Sequence, residues 1–279
     1  MIHPTAIIHP GAHLDPSVEV GPYAIVEEGV VVGPGCRIGA HVHLSGLTTI
    51  GTGNIFHPGC VIGNIPQDLK YRGAPSRTRI GDHNSIRENV TVNRATDESE
   101  DTVLGSNNLL MAGSHVAHNT VIANHCIIAN GALLGGHVVV QDRAVISGNC
   151  LVHQFVRVGT LAMMQGGAAI SKDLPPFTMA RGDNTICGLN VVGLRRSGFT
   201  DDQRLELKRL YRFLFRGRLG LQVAVEQARR EFRGEPALAL LDFVAASRRG
   251  VCADFGRKDR RGDSQEDEEA STGGEPDLP

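Results

Sequence analysis

The 279-residue chain has no tryptophan, only 4% aromatic residues, and no apolar run near the roughly 18 residues that a bilayer span needs. Scarcity of rings argues against a core built on bulky aromatics, and the short apolar runs argue against a membrane span. The amino terminus, MIHPTAIIHPG, lacks the basic and apolar segments of a secretory signal, so a cytoplasmic location is expected. A formal net charge of −2 removes any global electrostatic case for nucleic acid as a partner. None of the six cysteines forms a CxxC pair, which removes the usual zinc-ribbon and redox spacings. Glycine is abundant, at 34 residues, and suits a tightly turning backbone.

The strongest signal is a period of six. From Ile2 the chain places a large aliphatic or Phe at every sixth residue through Leu14, Val32, Leu44 and Phe56 to Ile62, and again from Leu104 to Ile170. Of the 29 positions on this register from 2 to 170, only Asp68, Ala74 and Glu98 depart from Ile, Leu, Val, Phe or Met. Six fits neither the helical 3.6 nor a long alternating strand, and hexads are the signature of a parallel β-helix. Three hexads would close an 18-residue lap, with the large residue inward and successive laps at the strand spacing of roughly 4.8 Å. The fourth residue after each large one is small or β-branched, as at Ala6, Ala12, Val18 and Ala24, which reads as a second inward slot of limited volume. Cys36, Cys60, Cys126 and Cys150 fall on that slot and read as buried structural thiols, while Cys187 and Cys252 stand apart.

Two polar segments interrupt the hexads without losing register. The first, GNIPQDLKYRGAPSRT at 63–78, carries the charged Asp68 and Lys70; the second, ATDESEDT at 95–102, reads as a solvated acidic loop. After Asn190 the pattern turns helical, with Thr200 and Asp201 as candidate N-caps and Gly217, Gly234 and Gly250 as candidate stops. The expected organisation is therefore a hexapeptide-repeat β-helix over 1–187, a helical domain over 188–255 and a disordered polar tail over 256–279. Residues 195–250 hold 13 Lys and Arg against 7 Asp and Glu, a basic surface suited to an acidic partner or a phosphate.

With an 18-residue lap, His118, His137 and His153 fall on one face in successive coils, with Gln154 two laps after His118 and His115 at the preceding corner. Imidazoles stacked about 5 Å apart suggest a functional cluster, because the side chain titrates near neutral pH. Two chemistries fit such a cluster. Converging rings would bind zinc, as in the γ-type carbonic anhydrases; a single poised ring would serve as general base in an acyl transfer.

Several segments in order decide between them: GNIPQDLKY (63–71), NNLLMAGSHVAHN (107–119), GGHV (135–138), VHQF (152–155), DLPPF (173–177) and GLNVVGLRRSGF (188–199). Together they resemble the UDP-N-acetylglucosamine acyltransferases that begin lipid A synthesis, over about residues 1–255. The resemblance implies a left-handed parallel β-helix with a C-terminal helical domain, assembled as a homotrimer with sites between subunits. It implies His118 as general base, deprotonating a glucosamine 3-hydroxyl that attacks a (3R)-3-hydroxyacyl thioester on acyl carrier protein. Gln67, Asp68 and Lys70 would meet the acyl donor, with Asp68 reaching a neighbouring copy's histidines. His115, His137, His153 and Gln154 would line the sugar and acyl site beside the Gly136 backbone. Asn190 and Arg196 would hold the nucleotide diphosphate, Gly166 would set acyl-chain length, and the basic helices would dock the carrier. The resemblance calls for no metal and no cofactor. The chain departs from the familiar pattern at Asn119, where other members place an Asp after the catalytic His, and at Val192 and Ser197, where some carry Glu and Arg.

Overall fold

The computed structural model describes residues 1–255. Each hexad folds as a two-residue strand and a corner, as at Val31–Val32, where the first side chain is exposed and the second buried. The strands form three parallel sheets that trade strands in strict rotation, so the chain winds as a three-sided β-helix. We call the face containing Ile7–Ile8 face one, that of His13–Leu14 face two and that of Glu19–Val20 face three. Regular laps are 18 residues long: Ile7 pairs with Ile25 and His115 with Leu133. Corners recur with one residue in the left-handed backbone region, including Asn107, Asn119, His125 and His137. Asn reaches that region at low cost because its short polar side chain bonds locally.

The six-residue register forms the core, with Leu44, Ile62, Ile86, Leu110, Ile128 and Ile146 all fully buried. In the second slot, burial pushes the Cys60 and Cys126 thiols up to about 11, which keeps them protonated and inert. One column of that slot carries an amide ladder absent from the sequence expectation. The Asn84 Nδ2 donates to Asn54 Oδ1 and to the Gly105 carbonyl, and its Oδ1 accepts from the Asn108 N–H, each at 2.9 Å. Asn84→Ala would leave the last two groups unpaired in a dry interior. It is expected to cost roughly 2–4 kcal/mol, read from denaturant unfolding at fixed protein concentration.

The two polar segments are excursions inserted at one corner, between faces one and two. Val61 pairs with Thr91 and Thr91 with His115, laps of thirty and twenty-four residues in place of eighteen. The extra residues come in multiples of six, so the hexad phase survives. Both loops leave the coil in the two laps directly beneath His118.

Beyond Ile170 the coil ends in Thr178–Ala180, which pairs antiparallel with Thr185–Leu189. Ala253–Asp254 then returns to add a parallel strand, so the expected boundary at 187/188 lies inside a strand that the C-terminal region completes. Four helices lie between: α1 Val191–Arg196, α2 Asp201–Tyr211, α3 Leu221–Glu231 and α4 Glu235–Ala245. Thr200 caps α2 in a reciprocal pair with Gln203, and α2 runs on as a π-helical turn over Arg212–Arg216 before Gly217. Gly234, expected as a stop, is instead the N-cap of α4. The helices are anchored by Asp173, which is 2% exposed and accepts from Arg157 Nη2 at 2.7 Å and Ser247 Oγ at 2.9 Å. The Arg157 guanidinium also covers the Phe243 ring of α4, 4.3 Å from its centroid. Among the described residues no helix is long and apolar enough to cross a membrane. The tail at 256–279 lies outside the described residues.

Candidate active site

The corner between faces one and two carries the histidines, staggered into neighbouring columns instead of the expected single one. His118, Gly136 and Gln154 occupy the first corner position in successive laps, and Asn119, His137 and Phe155 the second. Separations of 19 and 16 residues are not 18, and each missed residue moves a ring to the next column. The His118 and His137 centroids are 5.3 Å apart and edge-on, whereas His137 stacks at 4.6 Å on Phe155 rather than on His153. His115 sits on the strand His115–Val116 rather than at a corner, and Thr91, its partner one lap below, meets its Nδ1 at 2.7 Å. Burial, with the adjacent His118 adding to it, holds the His115 pKa below the ordinary histidine value, so this ring is neutral near pH 7.

The hydrogen bonds around His118 fix its tautomer. Asn119 Oδ1 accepts the Thr96 backbone N–H at 3.0 Å, and Asn119 Nδ2 donates to Glu100 Oε2 at 3.1 Å. A flipped amide would set two donors against each other and an oxygen against a carboxylate, so the oxygen faces Thr96. The same oxygen is 2.9 Å from His118 Nδ1 and is able only to accept. Thr96 Oγ1 gives its proton to Asp68 Oδ2 at 3.0 Å and is left to accept from His118 Nδ1, also at 3.0 Å. The ring proton therefore sits on Nδ1, and Nε2 carries the free lone pair. The Asp68 carboxylate lies 3.9 Å from Nε2 and is held below the usual carboxylate range first by the Lys70 N–H, then by Thr96 and His118. Above the ring, a Cβ at Gly136 would fall 2.5 Å from both Cε1 and Nε2 of His118, so only glycine leaves the ring where it is. His118 opens on a cleft of about 680 Å³ with an apolar wall of Leu133, Leu151 and Ala169 and a polar edge of His153 and Gln154.

This geometry sets an imidazole with an open Nε2 beside a cleft that has one apolar wall, and the comparisons name the chemistry. Residues 173–252 match the family model for UDP N-acetylglucosamine O-acyltransferase, domain 2, and residues 101–136 match the bacterial transferase hexapeptide of six repeats. An acyl-(acyl-carrier-protein)–UDP-N-acetylglucosamine O-acyltransferase of Thermodesulfovibrio yellowstonii is 44% identical over 254 residues, 90% of this chain and 98% of that one. Its counterpart in Gloeothece citriformis is 50% identical over 207 residues, 74% of this chain and 75% of that one. The solved UDP-N-acetylglucosamine acyltransferase of Bacteroides fragilis superposes with a TM-score of 0.86 at 41% identity, over 90% of this chain and 99% of that one. The chain belongs to the UDP-N-acetylglucosamine O-acyltransferase family. It is an acyltransferase, and its coil is the left-handed hexapeptide β-helix.

Within this acyltransferase, Gln67, His115, His118, Gly136, His153 and Gln154 line one cleft. His137 stands behind it, with Nδ1 3.4 Å from Glu100 Oε2. Asp68 reaches His118 of its own chain. The reason is topological: the 63–78 excursion leaves the coil at the histidine corner itself. The exposed Lys70 and Arg196 do not line the cleft. Asn190 is buried, its amide spent on capping α1 through the Gly193 N–H and on the Leu161 carbonyl, each at 2.9 Å. Gly166 sits at the corner that feeds the strand Ala169–Ile170 and is not itself a lining residue. Among the described residues no three His, Cys, Asp or Glu side chains group as a metal site. Thr96, Thr91 and Glu100 carry no mark in the sequence, because nothing in a polar loop or a lone β-branched residue points to a partner one lap away. Knowing that the loops leave beneath His118 is the signal that would have found them.

Proposed function

We propose that this acyltransferase moves a (3R)-3-hydroxyacyl group from acyl carrier protein to the 3-hydroxyl of UDP-N-acetylglucosamine, the first step of lipid A synthesis. The single observation that carries this reading is the His118 tautomer: Nδ1–H held by two acceptors and a free Nε2 at the mouth of a half-apolar cleft. Nε2 takes the sugar 3-hydroxyl proton as that oxygen attacks the thioester carbonyl. The C–S bond then breaks, and the imidazolium returns the proton to the leaving thiolate, releasing carrier thiol. The Gly136 N–H, on the corner one lap above His118, is the donor for the developing oxyanion. Neutral His115, with His153 and Gln154, supplies hydrogen bonds to the sugar without competing for its proton. Asp68 and Lys70 meet the acyl hydroxyl, and Arg196 suits a diphosphate by its planar donors. Because Arg196 does not line the cleft of a single chain, the reading includes a homotrimer that brings a neighbouring copy to it. The basic helices between 195 and 250 would dock the acidic carrier protein in the cytoplasm.

The test is incubation of purified protein with UDP-N-acetylglucosamine and a series of 3-hydroxyacyl carrier thioesters, with the product identified by mass. A singly O-acylated nucleotide sugar is expected, and its absence with every donor overturns the reading. Donor length is the finer expectation. A Cβ at Gly166 would meet only the Gly148 carbonyl, at 3.6 Å, so a larger side chain enters without displacing the coil. Gly166→Met is expected to cut the rate with the longest accepted donor by roughly tenfold or more relative to a short one. Equal losses at all lengths would remove Gly166 from that role.

A further inference from the structure

Asn119 leaves this acyltransferase without a charge on the Nδ1 side of its base, yet a carboxylate lies one hydrogen bond further out on that side. We propose that Glu100, on the acidic loop, is a positioning residue whose charge reaches His118 through the Asn119 amide and holds the ring as imidazolium forms. The inference rests on the acyl-transfer reading and adds a residue to it.

The chain of contacts is continuous. Glu100 Oε2 accepts from Asn119 Nδ2 at 3.1 Å, and Asn119 Oδ1 accepts the His118 Nδ1–H at 2.9 Å. An amide with its N–H₂ on a carboxylate is polarised toward its oxygen, which strengthens the second bond as charge builds on the ring. Asn119 is itself immobile: it is 5% exposed, it holds a left-handed corner, and its N–H donates to Thr102 Oγ1 at 2.8 Å. The relay is therefore set by the coil, and only the exposed Glu100 side chain needs to be recruited. Substrate filling the cleft would exclude water from His118 and raise the worth of that charge. The other charged or titratable groups near the ring are Asp68, at 3.9 Å from Nε2, His115 on the strand that leads into the same corner, and His137, edge-on at 5.3 Å. Asp68 lies on the side that takes the proton, whereas Glu100 acts on the opposite nitrogen. Glu100 also lies 3.4 Å from His137 Nδ1, which offers a second, competing route to the site.

A charge swap separates the routes. Glu100→Gln keeps an amide at the loop, and it is expected to lower kcat roughly five- to tenfold with KM within about twofold. Asn119→Asp alone puts two carboxylates within hydrogen-bond distance, so they repel, and one must be neutralised before His118 benefits. Asn119→Asp with Glu100→Gln inverts the pair: the loop amide donates to the new carboxylate, the hydrogen bond survives, and the charge moves next to His118. The double variant is expected to regain wild-type kcat or exceed it, so that Glu100→Gln harms the natural chain and helps the Asn119→Asp chain. A role through His137, or a purely structural one, predicts no such reversal. Full kcat in Glu100→Gln, or loss without recovery in the double variant, overturns the inference while acyl transfer by the wild type stands. A wild type that forms no acyl sugar overturns the acyl-transfer reading, and this inference with it.

Discussion

His118→Ala is expected to lower kcat for acyl transfer by roughly 10²–10⁴-fold, the range removed with a general base. A collapsed fold does not compete as the explanation, on grounds that the hydrogen bonds make explicit. Removing the ring orphans nothing else: Thr96 Oγ1 keeps Asp68, Asn119 Oδ1 keeps the Thr96 N–H, and Asn119 Nδ2 keeps Glu100. The side chain is 12% exposed at the mouth of the cleft, so water fills the space left behind. The denaturation midpoint should therefore stay near that of the wild type while turnover disappears. More than a tenth of wild-type kcat in the alanine variant would remove His118 as base. The His118→Gln variant sharpens the point, since it preserves volume and a polar end but abstracts no proton.

The sequence reveals the coil and conceals the site for one reason. A hexad places one large residue inward per strand, so whether a residue points inward is readable from its number alone, and Leu44 and Ile128 are as buried as the register requires. A lap count is readable only where laps are equal. The excursions add twelve and six residues, both invisible to a period of six, so spacing alone miscounts the laps between Asp68 and His118 and hides their contact within one chain. For the same reason Thr91 gives no sign of its bond to His115: they are twenty-four residues apart and yet paired. The histidine corner itself is legible and its inner order is not, because offsets of one residue from eighteen exchange a ring for its neighbour. The amide ladder of Asn54, Asn84 and Asn108 lies on the readable slot, but a buried polar residue carries no hydropathy signal and shows its purpose only through partners. Asn190 stands out in sequence by its company in a motif, and its amide caps a helix.

Gly136→Ala is the second large effect, and its cause is a single carbon. Gly136 is not among the residues with positive φ, so alanine meets no backbone penalty there. The whole cost falls on His118, whose Cε1 and Nε2 would lie 2.5 Å from the new Cβ and whose Nδ1 would lie 3.1 Å away. Carbon atoms pack at about 3.5–4.0 Å, so the ring must retreat by roughly 1 Å. It is tethered at Nδ1 by Asn119 and Thr96, and retreat pulls it from both or swings Nε2 away from the sugar oxygen. A displacement of that size is expected to lower kcat about 100-fold. The fold should hold, because the clash is with a side chain that borders the open cleft and not with the coil's backbone. If the loss runs through His118 alone, adding Gly136→Ala to His118→Ala should cost nothing further, since no ring remains to be moved. An additional drop in that background, with the wild-type carrier thioester and sugar at saturation, would mean that Gly136 serves transfer by a route other than the space it leaves for His118.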